Sequence, residues 1–156
     1  MKNHLRTKNP ALDDIDAQLL QILHTESRTS LAELARMLNM SAPSISERLR
    51  RLKESGTIEN FTITVNVKPL GYALSFYIRI RPLPGQLSKV VSEIQEISSI
   101  VECDRVTGDD CFIAKAHVKS TQELEDIIDR LLPYAQTNTS LVQSSPVKRR
   151  LPPLQS

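Results

Sequence analysis

The stretch "TSLAELARMLNMSAPSISERLRRLKESG", residues 29–56, reads as two short helices with a tight turn between them. Ser30 followed by Glu33 has capping-box spacing: the serine oxygen accepts from a backbone amide and the glutamate reaches back three residues. Leu31, Leu34, Ala35 and Leu38 then recur at helical intervals and predict a buried stripe. "NMS" is the turn, Ser41 the next N-cap, and Pro43 falls in a first helical turn, where its missing amide would be unpaired anyway. Gly56 stands where a left-handed C-terminal cap is common.

At about 100° per residue the second of these helices sorts its side chains clearly. Ile45, Leu49 and Leu52 cluster on one side, while Pro43, Ser44, Glu47, Arg50, Arg51 and Glu54 lie opposite, with Arg48 on the flank. Residues 41–56 hold Arg48, Arg50, Arg51 and Lys53 against Glu47 and Glu54. That local excess of two equals the formal net charge of +2 for all 156 residues. A solvated face is the usual meaning of such a helix in isolation. The capped helix before it and the short turn shift the reading to a helix-turn-helix, with arginines reaching phosphates and small serines allowing close approach to a groove. Glu47 either repels phosphate or accepts from a cytosine amino group.

Working outward, residues 1–10 form a polar tail ended by Pro10. Leu12, Ile15, Leu19, Ile22 and Leu23 make another helical stripe, and Asp13, Asp14 and Asp16 sit in its first turns, where the helix dipole favours negative charge. A DNA-binding domain over 11–57 follows from these three helices. After Gly56 the period changes: "TIENFTITVNVK", residues 57–68, alternates Ile63, Val65 and Val67 with Thr62, Thr64 and Asn66 and predicts a strand. "PLGY", residues 69–72, breaks it, so 58–72 is assigned to a hinge strand and linker.

Residues 73–145 read as β-α-β-β-α-β. "LSFYIRIR" (74–81) alternates as a half-buried strand, and Leu87, Val90, Val91, Ile94 and Ile97 form a helical stripe. "IVECDRV" (100–106) and "CFIAKAHV" (111–118) are strands joined by "TGDD". Ser120 and Glu123 open a helix with Leu124, Ile127, Ile128 and Leu131 inward, and "TSLVQS" (139–144) is the expected fourth strand. Two helices on one face of a four-stranded antiparallel sheet is the ferredoxin-like plan, an α+β architecture. Residues 146–156 form a polar tail whose run Lys148, Arg149, Arg150 is by default solvated, with auxiliary phosphate contact as the alternative.

Composition narrows the function. Hydrophobic residues make up 40% of the chain, enough for a packed core. Twenty basic residues nearly balance eighteen acidic ones, so any basic surface must come from local arrangement. Cys103 and Cys111 lack the spacing of a zinc site or a disulfide scaffold, and packed thiols in a reducing compartment fit better. The first residues have no apolar core typical of a signal peptide, and no apolar run approaches the ~20 residues of a membrane span. A cytoplasmic protein that does not enter the membrane is expected. Asp109, Asp110 and Cys111 have no motif-linked histidine and read as turn residues, so no catalytic residue, metal site or cofactor is expected. His24 ends the first helix and His117 sits on a strand as a surface or interface histidine.

"LDDIDAQLLQIL", "RTSLAELARMLNMS", "ERLRRLKESGTI", "VKPLGY" and "VTGDD", in this order, resemble the Lrp/AsnC (leucine-responsive, feast/famine) transcription factors over nearly the whole chain. The resemblance implies a winged-type helix-turn-helix, a hinge strand that pairs with its counterpart in a second copy, and a ferredoxin-like effector domain. It implies dimers, assembling into octamers or related rings, that bind double-stranded DNA and respond to small ligands, usually amino acids, held between dimers. Residues 41–51 would enter the major groove, with Ser41, Ser44, Glu47, Arg48, Arg50 and Arg51 at the DNA. Thr107, Gly108, Asp109, Asp110, Cys111, Thr137 and Thr139 would border the effector. The family's loop carries glycine, two variable residues and aspartate; here Cys111 takes the aspartate position and Asp110 precedes it. Two other functions fit the same residues: an architectural DNA-binding protein without a ligand, and a metabolite-sensing module acting through protein contacts.

Overall fold

A computed structural model describes residues 12–154, so the expected tail over 1–10 lies outside the described residues. The chain divides into two compact units, Met1–Thr64 with Val147–Ser156, and Val65–Pro146.

The first unit holds α1 (Asp14–Thr25), α2 (Leu31–Met37) and α3 (Ala42–Glu54). Each helix starts on a side-chain cap: Asp13, Ser30 and Ser41 accept from the amides of Asp16, Glu33 and Ser44 at 2.7, 3.2 and 3.3 Å. The expected capping box on α2 is half-made, because the Glu33 carboxylate accepts from Arg36 at 3.0 Å instead of reaching back. Asn39, with φ 51°, reverses the chain between α2 and α3, a conformation that asparagine tolerates better than most residues. Leu19, Leu23, Leu34, Ala35, Ile45 and Leu52 form the core. Leu31, expected in the stripe, is 44% exposed, since a seven-residue helix turns only a narrow face inward. Gly56, at φ 74°, ends α3.

Within the single chain, the strand expected across 57–68 finds no partner among the described residues. Residues 59–66 carry no strand, and no described segment pairs with them. Alternation makes a strand only when a neighbour supplies the ladder hydrogen bonds. Unpaired, the row is left exposed: Phe61 by 50%, Ile63 by 76% and Val65 by 51%.

The second unit is the α+β sheet with β1 (Leu74–Pro82), α4 (Leu87–Glu96), β2 (Ile100–Arg105), β3 (Phe112–Val118), α5 (Thr121–Leu131) and β4 (Ala135–Leu141). The strand order β2-β3-β1-β4 is antiparallel throughout. Phe76, Ile78 and Ile80 of β1 and Phe112, Ala114, Ala116 and Val118 of β3 pack with Val90, Ile94, Ile127 and Leu131 of the two helices. The opposite face, with Ser75, Tyr77, Arg79 and Arg81 on β1 and Lys115 and His117 on β3, is not covered by a helix. β4 begins four residues earlier than the expected "TSLVQS", because the polar run Gln136, Thr137, Asn138 hid a strand held by its ladder with β1. On α5, Ser120 caps Glu123 at 3.3 Å, and the Glu123 carboxylate accepts from the Lys119 amide at 2.8 Å.

Candidate nucleic-acid interface

α3 presents one side to the core through Ile45 and Leu52, and leaves Pro43, Ser46, Glu47, Arg50, Arg51 and Lys53 exposed on the rest of its surface. Its first turn is shaped by two serines. Ser41 is the cap, and its hydroxyl lies 2.7 Å from that of Ser44, so the pair forms a small polar step at the N-terminal end. A shallow depression beside it is lined by Met40, Pro43, Ser44, Glu47, Arg48 and Arg51.

The arginines are less available than their number suggests. Arg48 donates from one nitrogen to Asp13 at 2.6 Å and to Asp16 at 2.7 Å, and its side chain is only 19% exposed. Asp16, the one buried charged residue among the described residues, also accepts from Arg51 at 3.1 Å. Arg48, expected at the DNA, is engaged by both carboxylates and ties α3 to the start of α1. A buried carboxylate demands such partners, since an unpaired charge there is strongly destabilising. Those contacts raise the Arg48 pKa, its hydrogen bond to Asp13 most and that to Asp16 next. Asp13 is held below its ordinary value, first by the Asp16 amide and then by Arg48.

Arg50 stands on the outer face between two glutamates. Its Nε donates to Glu47 at 2.9 Å and its Nη1 to Glu54 at 2.6 Å. The Glu47 hydrogen bond lowers the carboxyl pKa and, with Glu54, raises that of the guanidinium. Lys53 leans over the Phe61 ring at 5.9 Å. Arg51 remains the α3 arginine that is both half exposed, at 51%, and held by a single carboxylate contact.

Sequence reasoning missed Asp16 as an anchor. The available signal was Asp13 and Asp16 at i, i+3 spacing, which places both on one helix face.

The expected effector residues divide between the two sheet faces. Gly108, at φ 115°, turns the loop after β2. Arg81 donates to the Asp109 carbonyl at 2.7 Å, and Asp110 lies 3.9 Å from both Arg79 and Arg81. Cys111 packs against the helix-covered core, its amide bonded to the Ile80 carbonyl at 3.1 Å. Thr137 and Thr139 pair with Ile80 and Ile78, so they too lie on the helix-covered side. Thr107 is exposed at the loop's start. Thr137 and Cys111 flank the end of β1, about 10 Å apart at two strand spacings. Among the described residues, no group of three or more His, Cys, Asp or Glu is placed to hold a metal ion. None of the described helices is long and apolar enough to cross a membrane.

Comparison with known proteins matches both units. An AsnC-type helix-turn-helix domain model matches residues 12–53, and an Lrp/AsnC ligand binding domain model matches 75–152. The HTH-type transcriptional regulator LrpC of Bacillus subtilis is 35% identical over 133 residues, 85% of this chain and 92% of LrpC. The solved structure of B. subtilis LrpC superposes with a TM-score of 0.84, covering 88% of this chain and 99% of that one. A feast or famine regulatory protein from M. tuberculosis, complexed with L-methionine, superposes with a TM-score of 0.82 at 28% identity, covering 90% and 98%.

Proposed function

The chain belongs to the Lrp/AsnC family and is an Lrp-type helix-turn-helix transcriptional regulator, and from that premise we propose which of its residues read DNA and which sense a ligand. α3 enters the major groove with its Ser41–Ser44 step leading and Arg51 reaching a phosphate. Glu47 and Arg50 present their outward edges to base pairs as one linked unit. The observation that carries this assignment is the orientation of α3, apolar inward and polar outward, on a capped turn of four residues. Arg48 positions the helix.

The assembled form is a dimer or a larger ring in the cytoplasm. Two features support self-association: the exposed row Phe61, Ile63, Val65, which a second copy's equivalent segment would complete as a strand pair, and the sheet face left without helices. A small amino acid is the proposed effector, in line with the L-methionine complex of the M. tuberculosis protein. Asp110 with Arg79 and Arg81 offers both signs of charge that a zwitterion needs, at 3.9 Å separations that leave the pairs open to exchange. Cys111, Thr137 and Thr139 lie on the other side of the sheet and would shape the pocket only where the rim is shared.

The test is binding to DNA upstream of the protein's own gene, at two salt concentrations, with and without a panel of amino acids. Specific binding that one amino acid alters is expected. Specific binding indifferent to the whole panel would favour the architectural reading, and no salt-sensitive binding would remove α3 from the DNA.

A further inference from the structure

The run Lys148, Arg149, Arg150 follows the sheet domain in sequence but belongs to the same compact unit as the helix-turn-helix. We propose that this run is a second phosphate-contacting element of the DNA-binding unit, a reading that rests on the assignment of that unit to DNA.

Charge is the first argument. Residues 1–64 hold nine basic and eight acidic side chains, an excess of one. Residues 147–156 add three basic side chains and no acidic one, so the unit as a whole has an excess of four. The other unit, 65–146, holds eight basic and ten acidic side chains. Residues 12–64 alone hold six basic and eight acidic side chains, so the unit's positive charge comes from Lys2, Arg6 and Lys8 at one end and from Lys148, Arg149 and Arg150 at the other. Duplex DNA binds through neutralised phosphates, and a run of three cations with no acid beside it suits that contact.

Availability is the second. Arg48, Arg50 and Arg51 of α3 are each engaged by carboxylates within the unit. Lys148, Arg149 and Arg150 are all exposed, and none forms an ion pair among the described residues. Their charge is not already satisfied.

Restraint is the third. Leu151 and Leu154 are half-buried, and Pro146, Pro152 and Pro153 bracket the basic run. Proline fixes φ and removes conformations that binding would otherwise have to freeze out. The cations are presented on a segment stiffened by its prolines, with two half-buried leucines after them.

The experiment uses the full chain and a duplex carrying its specific site. Fluorescence anisotropy gives Kd from about 50 to 300 mM KCl for the wild type, for K148A/R149A/R150A, and for the charge-keeping K148R/R149K/R150K. Each lost phosphate contact should reduce the slope of log Kd against log salt by about one. The alanine variant should therefore lose about two to three units of slope per chain engaged, with weaker binding to specific and nonspecific duplexes alike. The charge-keeping variant should match the wild type. An alanine variant with unchanged slope, beside a wild type that binds, overturns the tail assignment and leaves α3 standing. A wild type that shows no DNA binding overturns both.

Discussion

Arg48 of α3 reaches Asp16 of α1 at 2.7 Å, and that carboxylate belongs to a residue only 2% exposed. α3 is thus tied to α1 by a charge pair whose acid lies in the unit's interior. Replacing Asp16 by alanine removes the only buried acid among the described residues and leaves Arg48 with the partly exposed Asp13. A loss of about 2–4 kcal/mol is expected for a broken buried pair. Urea unfolding of Asp16→Ala, Arg48→Met and the double variant checks it. Strong coupling between the two is expected, and simple additivity would mean that the contact carries no stability of its own.

Acid should loosen the same junction. Asp13 is held below its ordinary pKa by the Asp16 amide and Arg48, so its contribution is fully present above the unfolded value near 3.8 and is lost as pH falls through the lower folded value. Thermal unfolding between pH 2.5 and 6 should show a decline at the acid end. Asp13→Asn should flatten that decline; an identical profile in the variant would assign the acid loss elsewhere.

His117 gives a second, separate pH window. Burial first, and Lys115 next, push its pKa below the ordinary 6.5, and its Nδ1 lies 2.8 Å from the Ser75 hydroxyl. A depressed histidine favours folding when neutral, so its contribution is complete above 6.5 and diminishes as pH falls toward the folded value. Histidine NMR titration should place the His117 midpoint below 6.5. A His117 midpoint at or above 6.5 would contradict the burial argument.

The exposed hinge row should control assembly. Ile63→Asp with Val65→Asp places two charges where a strand partner is expected to bury apolar side chains. Light scattering should show the variant falling to a smaller species than the wild type, with helix and sheet content by circular dichroism unchanged. Retention of the wild-type mass would move the interface to another surface, such as the sheet face carrying Tyr77.

Glu47 restrains Arg50, so Glu47→Gln should release the guanidinium toward phosphate. Nonspecific DNA binding should tighten and its salt slope steepen by about one. Weaker nonspecific binding would indicate that Glu47 itself makes a favourable contact.

Helices were legible wherever apolar spacing, caps and turn residues agreed. Ser30, Ser41 and Ser120 cap as their positions imply, and Ile45 and Leu52 are buried as the wheel places them. β4 was legible only in part, because Gln136, Thr137 and Asn138 lie on an edge strand with little apolar signal, and the ladder to β1 defines it. The hinge alternation was visible, but its pairing depends on a neighbour that the single chain does not supply. Charge was the least legible property. Local counts made α3 look like a free basic surface, whereas Asp13 and Asp16, more than thirty residues upstream, had to be brought to Arg48 by folding.

The uneven division of charge between the two units also bears on how the molecule arrives at a duplex. With the helix-turn-helix unit four charges positive and the sheet unit two negative, a polyanion attracts one part and repels the other during diffusion. A chain that looks electrically almost neutral in total therefore carries opposite net charge on its two units, and the attraction of a duplex acts on the helix-turn-helix unit.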